Sequence, residues 1–500
     1  MRRVKAVITA EGSYPFETGG VSVWADLLVH ELKHIDFHIM AIMMHPFAKL
    51  KYELPENVIK LHMVPLWGSE EPTEFIRDVS FATIYREKLK SSTSEAPKKF
   101  INTMYTLMDY FFQKKNDMEE LGDTLYDFYE YFHEYDYYTI FHAEEVWEAY
   151  KSRYLEFYKT YGGEKKPTVF DMIEGLRFIY RFFISMLAKV EPADIYHSSA
   201  AAFCALPCII AKKKYGSKFL LTEHGVYVRE QYLYASREKM PLFTKHFLLG
   251  MITTASRLSY HFADTIAPVC AYNERWETRW GAMPEKIDVI YNGIDTERFR
   301  NLQLPPNERP TVVMVARVDP LKDIETYIRT CDLVSKDIPD VLFKLYGPEV
   351  DKKYAKVCRD LVDSLGLQKN FSFEGSTSNP AEAYNEGDVV MLTSISEAFP
   401  FVVIEAMACE RVVVSSDVGG TKEVLEGYGF VIKPKDYKGF ADSVIRVLKD
   451  PDLKREMGIE AREHILNGFT IEDMVENYDK LYERLDDERY EAKRAIAVPA

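Results

Sequence analysis

The chain has little cysteine, no long apolar run and no excess of basic charge, and each shortage disfavours a class of protein. Six cysteines in 500 residues, at 204, 208, 270, 331, 358 and 409, stand in apolar or helical surroundings without a C-x-x-C pair. That pattern speaks against a disulfide scaffold or structural zinc and for buried free thiols in a reducing compartment. No apolar stretch approaches the roughly 20 residues that span a bilayer. The opening MRRVKAVITAEG has two arginines but only a short apolar run before a glutamate, so it reads as a first β-strand rather than a signal peptide. A net charge of -15, from 63 basic and 78 acidic residues, repels polyanions, so nucleic acid is not an expected partner. Binding to anionic lipid would need a local basic patch, and none dominates. Dehydrogenase and kinase readings fail because neither G-x-G-x-x-G nor the Walker loop occurs; Gly419-Gly420-Thr421-Lys422 is a partial echo. No Asp-x-Asp lies between strands where it would clamp a metal to a diphosphate, so no metal site is expected.

What is present fits two packed α/β domains. Five hundred residues exceed what one core usually organises, 47% hydrophobic content fills two, and 28% charge keeps them solvated. KAVITAEG, a Gly-Gly turn, helical SVWADLLVHELKH and the strand FHIMAIM make a strand-helix-strand opening. From about residue 75 to 185 long helical stretches dense in aromatics replace this alternation, the pattern of a helical insertion. Its tyrosines suit stacking on sugars or docking a partner, but aromatics at helical spacing more often form ordinary core. Alternation resumes at ADIYHSS. The paired prolines of NLQLPPNERP (301–310) suggest the joint, giving an amino-terminal domain over 1–300 and a second over 310–468. In 469–500, apolar Met474, Tyr478, Leu481 and Leu485 mark a helix, with a tail expected to fray after Tyr490. His30-Glu31-Leu32-Lys33-His34 formally matches the zinc-protease H-E-x-x-H, but a strand follows at once and no third ligand is evident.

The chemistry-bearing stretch is SEAFPFVVIEAMACERVVVSSDVGGTKE (396–423). The strand DVVMLTS (388–394) precedes a loop carrying Glu397, and a helix is predicted from Phe401, after Pro400, with Glu405 one turn inside. The first N–H groups of such a helix favour phosphate oxygens. A second strand, RVVVSSD, leads to Gly419 and Gly420, where a missing Cβ permits close backbone approach. Two glutamates eight apart mean little among 78 acidic residues, and an amphipathic helix with solvated acids is the bland reading. Upstream, however, TVVMVARVDPLKDIETYI ends a buried-looking strand at Arg317 and begins a helix near Lys322, two cations placed to neutralise a diphosphate. FLLTEHG ends a third strand at Thr222, Glu223 and His224, which makes His224 the leading catalytic histidine against the alternative of a capped surface residue. His197, ending DIYH, is the weaker candidate and is left outside the site.

Taken together these residues resemble the retaining GT-B glycosyltransferases of family four (glycosyl transferases group 1), whose donor site carries E-x7-E and an upstream Arg-x4-Lys. FETGGVSVW, TEHGVYVRE and YNGIDTERF extend the resemblance over most of the chain outside the insertion, and their wording is most similar to the PelF type of the Pel exopolysaccharide system. The resemblance implies an α/β GT-B fold: two Rossmann-like domains facing a cleft, an acceptor-side first domain bearing the insertion, a donor domain, and a last helix crossing back. It implies transfer of a hexose from a nucleoside diphosphate sugar, with UDP the likelier nucleotide, to a saccharide acceptor in exopolysaccharide synthesis, with no cofactor and no metal. Arg317 and Lys322 would then stabilise the leaving diphosphate, Glu397 the donor hydroxyls and cation-like sugar, and Glu405 the ribose. His224 would help hold the donor sugar, and Gly19 and Gly20 would face its phosphates or the acceptor. Gly347 and Gly375 would lie near the nucleotide, Phe373 or Ser376 would offer base contacts, and Phe399, Pro400 and Phe401 complete the substrate-binding set. The expected setting is cytoplasmic, peripheral to the inner membrane through a polysaccharide synthesis complex that docks on the insertion. Two alternatives stand beside this: a nucleotide-sugar epimerase of the same architecture, and a non-catalytic assembly subunit with a vestigial donor site.

Overall fold

The computed structural model of the chain describes residues 3–68, 71, 73–161 and 165–497. The chain divides into two compact units, the first of Met1–Pro268, Glu274–Val289 and Tyr478–Ala500, the second of Val269–Asn273 and Ile290–Asn477. Residues 301–310, where the prolines suggest a joint, are counted within the second unit, and the long segment changes unit at Val289/Ile290.

The first unit is built on a parallel sheet of β1 (Lys5–Glu11), β2 (Asp36–Met43), β3 (Val58–Pro65), β4 (Ile195–Ser198), β5 (Lys218–Glu223) and β6 (Thr265–Pro268), ordered β3-β2-β1-β4-β5-β6. Strands β1, β2, β4, β5 and β6 are buried over nearly their whole length and are near-continuous apolar runs, as a sheet covered on both faces requires, whereas the edge strand β3 is buried only at Val64 and Pro65. The helix Gly20–Glu31 makes the first crossover and ends before His34. The H-E-x-x-H echo is therefore dispersed: His30 Nδ1 contacts Asp26, and His34 Nε2 pairs with Asp479 at 3.0 Å.

Between β3 and β4 the chain forms helices from Phe81–Ser91 to Val169–Phe182. Ser80, Asp117 and Asp136 cap three of them, and Thr168 with Asp171 forms a capping box on a fourth. Most of their aromatics are core, with Phe81, Tyr85, Tyr138 and Phe170 exposed: the ring of Phe100 contacts those of Phe128, Phe132 and Phe141, and Phe112 stacks on Phe157 at 4.0 Å. The bundle joins the rest of the unit where helix Leu242–Phe262 crosses helix Glu95–Phe111 at Gly250, with Thr254 Oγ1 donating to the Tyr110 carbonyl at 3.1 Å.

The second unit repeats the plan with β7 (Thr311–Val315), β8 (Leu342–Tyr346), β9 (Phe371–Gly375), β10 (Val389–Leu392), β11 (Val412–Ser416) and β12 (Phe430–Ile432), ordered β12-β11-β10-β7-β8-β9. Both sheets reverse their winding once, between β1 and β4 and between β7 and β10, the points where open α/β sheets bind ligands.

The last helix, Ile471–Ala497, begins among residues of the second unit and from Tyr478 belongs to the first. Tyr478, Leu481, Tyr482 and Leu485 are buried there. Tyr482 Oη and His197 Nδ1 lie 2.7 Å apart, Tyr478 Oη and Thr222 Oγ1 3.0 Å, and Arg489 pairs with buried Asp194. The helix continues past Tyr490 to Ala497 instead of fraying, through a run of good helix formers (EAKRAIA). Residues 498–500 of the expected tail lie outside the described residues.

Gly250 gives this packing a test of sign. Glycine to alanine inside a helix ordinarily stabilises by about 1 kcal/mol. A Cβ here would lie 2.0 Å from the Phe111 carbonyl oxygen. Gly250→Ala should therefore lower the thermal midpoint, at an overpacking cost of about 1–3 kcal/mol; a raised midpoint would contradict the close crossing.

Candidate functional site

In the second unit the loops after β7, β10 and β11 are fastened together beside the reversal point. Thr393, just past β10, donates its hydroxyl to the carbonyls of Lys322 and Asp323 at 2.9 and 3.0 Å, and the Ile395 N–H reaches the Leu321 carbonyl at 2.7 Å. Asp323, in the left-handed region at φ 47°, turns this chain into helix Ile324–Asp337. On the other side the Gly420 N–H donates to the Ala398 carbonyl at 2.6 Å. Gly419 has φ 57°, and a Cβ on it would fall 2.3 Å from the Glu397 carbonyl oxygen. The close approach that the Gly-Gly turn permits is thus to the chain's own loop.

This fastening brings Lys322 Nζ to 2.5 Å from Glu397 Oε1, with both side chains mostly covered, at 18% and 14% exposure. Arg317 on the same loop is 60% exposed, its Nε 3.3 Å from Asp319. Helix Phe401–Ala408 begins after Pro400 without a side-chain cap, so its first N–H groups are directed at whatever binds beyond the strand ends. Half-buried Glu405 lies on that helix, and its Oε2 accepts from the Tyr384 hydroxyl at 2.6 Å. Burial raises its pKa above the ordinary carboxylate value, against the opposing pull of the Tyr384 hydrogen bond and the Arg298 charge. The arrangement offers two cations and a helix terminus to an anion, with two carboxylates beside them for hydroxyl groups.

The remaining expected residues divide by what they touch. Phe399 turns its ring into the core, stacked on Phe469 at 6.0 Å, and Pro400 is buried beside it, so only the backbone of these two is left for a ligand; Phe401 is half-buried. Gly347 serves its own fold, since a Cβ would strike the Ala316 carbonyl oxygen at 1.9 Å. Gly375 and Ser376 are exposed, with open space above Gly375, whereas the ring of Phe373 lies under the Arg359 guanidinium at 4.5 Å.

In the first unit, His224 follows β5 and meets the edge of fully buried Trp24 at 4.7 Å. Its Nε2 is buried without a hydrogen-bond partner, and desolvation lowers its pKa to about 3, so the ring is neutral. Gly19 and Gly20 are exposed at the uncapped start of helix Gly20–Glu31, with nothing within 4 Å of a Cβ on Gly19. His197 is fully buried with both ring nitrogens engaged, Nε2 lying 2.8 Å from Thr222 Oγ1, which is a structural role.

Residue spacing gave no sign of Tyr384 or of a buried carboxyl group beside His224. Glu223 accepts from the Tyr260 hydroxyl at 2.6 Å and the Tyr227 N–H at 2.9 Å, and it lies close enough to Glu277, whose carboxyl oxygens are buried without a hydrogen-bond partner, for their charges to interact. Burial raises both carboxyls, and the charge of Glu223 raises Glu277 further. Glu11, at the end of β1, is pushed up to about 7 by burial. Glu223 stands inside the quoted TEHG; its partner lies 54 positions on, within a helix that periodicity reads only as amphipathic.

Residues 4–285 match the family described as a domain of unknown function (DUF3492), and residues 295–464 the family described as glycosyl transferases group 1. The N-acetyl-alpha-D-glucosaminyl L-malate synthase of Bacillus anthracis is 36% identical over 317 residues, 59% of this chain and 76% of that enzyme. The trehalose synthase of Thermococcus litoralis is 29% identical over 216 residues, 39% of this chain and 52%, about half, of that protein. Among solved structures, Anabaena HepE in complex with UDP superposes with a TM-score of 0.59 at 14% identity, over 97% of this chain and all of that one. The shared architecture is the GT-B pairing of two Rossmann-like folds.

The raised carboxyls set a pH dependence. The unfolded chain releases these protons near 4.5 while the folded chain retains them, so stability falls as pH rises above 4.5. The slope is at most about 1.4 kcal/mol per pH unit for each group. It ends for Glu11 near 7 and continues further for the Glu223–Glu277 pair. Glu277→Gln should flatten this decline and be the more stable form at pH 8; melting curves with identical slopes for variant and parent would refute the assignment.

Proposed function

The chain belongs to the glycosyl transferases group 1 family, and from that membership we propose that it is a retaining hexosyltransferase using a UDP-sugar and a saccharide acceptor in exopolysaccharide synthesis of the PelF type. The observation that carries the reading is the Lys322–Glu397 contact at the reversal point of the second sheet, with Arg317 on the same loop and Glu405 on the uncapped helix. A nucleoside diphosphate presents the complementary groups in the same order: phosphate oxygens for the two cations and the helix terminus, ribose hydroxyls for Glu405.

In this reaction the bond between the anomeric carbon and the diphosphate oxygen breaks, and the acceptor oxygen bonds to that carbon on the same face. The acceptor proton passes to the departing phosphate. Negative charge grows on the diphosphate as the bond lengthens, and fixed cations aimed at that charge lower the barrier more than they tighten the ground state. Arg317 and Lys322 take this role, which a divalent metal fills elsewhere. Lys322 also holds Glu397 in place for the donor hydroxyls; on the first unit, His224 as a neutral imidazole can exchange a hydrogen bond with a sugar hydroxyl without adding charge. UDP is the first nucleotide to try, being bound by a protein of the same fold. Among the described residues no helix is long and apolar enough to cross a membrane. The proposed setting is the cytoplasm, with any membrane attachment made through partners.

Titration calorimetry with UDP and GDP, without metal, tests the site. Arg317→Ala is the cleaner variant, because Lys322→Ala would strand Glu397 without its cation. Loss of one charge-assisted hydrogen bond should weaken UDP binding about ten- to hundredfold. Turnover should survive EDTA, and the product should keep the anomeric configuration of the donor. Absence of binding by either nucleotide would sink the transferase reading in favour of a non-catalytic subunit; a nucleotide still attached to the product sugar would point to an epimerase.

A further inference from the structure

Tyr384 is fully buried on helix Pro380–Asn385, yet its hydroxyl reaches a residue of the candidate site, Glu405 Oε2, at 2.6 Å. The helix that carries it is fixed at both ends. Asn379 caps its start, and Asn385 at its end donates to the Arg300 carbonyl and accepts from the Leu302 N–H, each at 2.9 Å. The ring lies 6.2 Å from that of Phe299. Phenol and carboxylate are thus carried by separate helices, one of them fixed by its own end contacts.

We propose that Tyr384 is the positioning residue for the nucleoside end of the donor, its hydroxyl engaging Oε2 so that Glu405 presents Oε1 to the vicinal hydroxyls of a ribose. The inference rests on the reading of Glu405 as the ribose-binding residue. Its chemistry follows from counting donors and acceptors. An ionised carboxylate only accepts, whereas a protonated one turns an oxygen into a donor and is the weaker acceptor for a pair of hydroxyl groups. Burial pushes Glu405 towards the protonated form. A hydroxyl donated from within the protein opposes that drift and fixes the rotation of the carboxylate without occupying the oxygen that faces outward. Arg298 adds its charge in the same sense but makes no hydrogen bond to Glu405.

A binding experiment on the full chain separates positioning from mere packing. UDP and 2′-deoxy-UDP are titrated against wild type, Tyr384→Phe, Glu405→Gln and the double variant. Wild type should prefer UDP by about tenfold, the worth of one hydrogen bond to a charged group. Tyr384→Phe keeps the ring and should weaken UDP about tenfold while moving 2′-deoxy-UDP less than twofold, so that the preference collapses. On the Glu405→Gln background, Tyr384→Phe should have no further effect, the non-additivity expected of two residues acting as one. An undiminished UDP preference in Tyr384→Phe, or additive effects in the double variant, overturns the proposal and leaves the Glu405 reading standing. A wild type indifferent to the 2′-hydroxyl, or a Glu405→Gln variant that keeps the preference, overturns the Glu405 reading and the proposal with it. Should Tyr384→Phe fold poorly, the comparison of Glu405→Gln with the double variant, where no carboxylate is left to strand, still decides.

Discussion

The second unit depends on one near-collision avoided. The Glu397 and Ala398 carbonyls occupy the space where a side chain on Gly419 would begin, and that contact seats the turn after β11 on the loop after β10. Thr393 and Ile395 then tie the same loop to the one after β7. Three loops from adjacent strands become a single stiff rim, and the long side chain of Lys322 meets Glu397 at a fixed place. Rigidity of this kind matters for catalysis because a cation already in position when charge develops has no reorganisation to perform. The Gly-Gly turn therefore has an architectural task, and whatever it contributes to phosphate binding comes through the loops it aligns.

The two units treat charge differently. The rim of the second gathers cations and carboxylates in partial exposure, with Lys322 paired to Glu397 and Arg317 to Asp319. The first unit buries several titratable groups at or near the strand ends and shifts them towards their neutral forms: His224 is lowered, and Glu11, Glu223 and Glu277 are raised. Desolvation is the common cause.

Much of this was legible in the sequence. Apolar runs bounded by glycine and proline located β1, β5, β7, β10 and β11, and Pro400 marked the helix start at Phe401. The Arg317, Lys322, Glu397 and Glu405 spacings found the residues of the rim because strand-end loops carry side chains to one edge of a parallel sheet. Partnerships across long separations were not legible. Nothing local in AYNEGD says that Tyr384 reaches Glu405, nor does the local sequence say that Glu277 is buried beside Glu223, since those contacts exist only once separate elements pack. Phe399, which the resemblance placed in the substrate-binding set, has its ring in the core under the loop, a placement no local pattern reveals. Gly347 likewise looked like a ligand-facing glycine, and its lack of a side chain is needed by the Ala316 carbonyl.

The last helix raises a question of time rather than geometry. The first unit takes its final piece from Tyr478 onward, after residues 290–477 have supplied most of the second. A ribosome adding about 5–20 residues each second needs roughly ten to forty seconds to cross that interval. Throughout it, His197 and Thr222 lack the tyrosine hydroxyls that will bond to them, and the contacts that bury Leu481 and Leu485 have yet to form. The half synthesised first is completed last, and chaperone demand during translation should be concentrated on it.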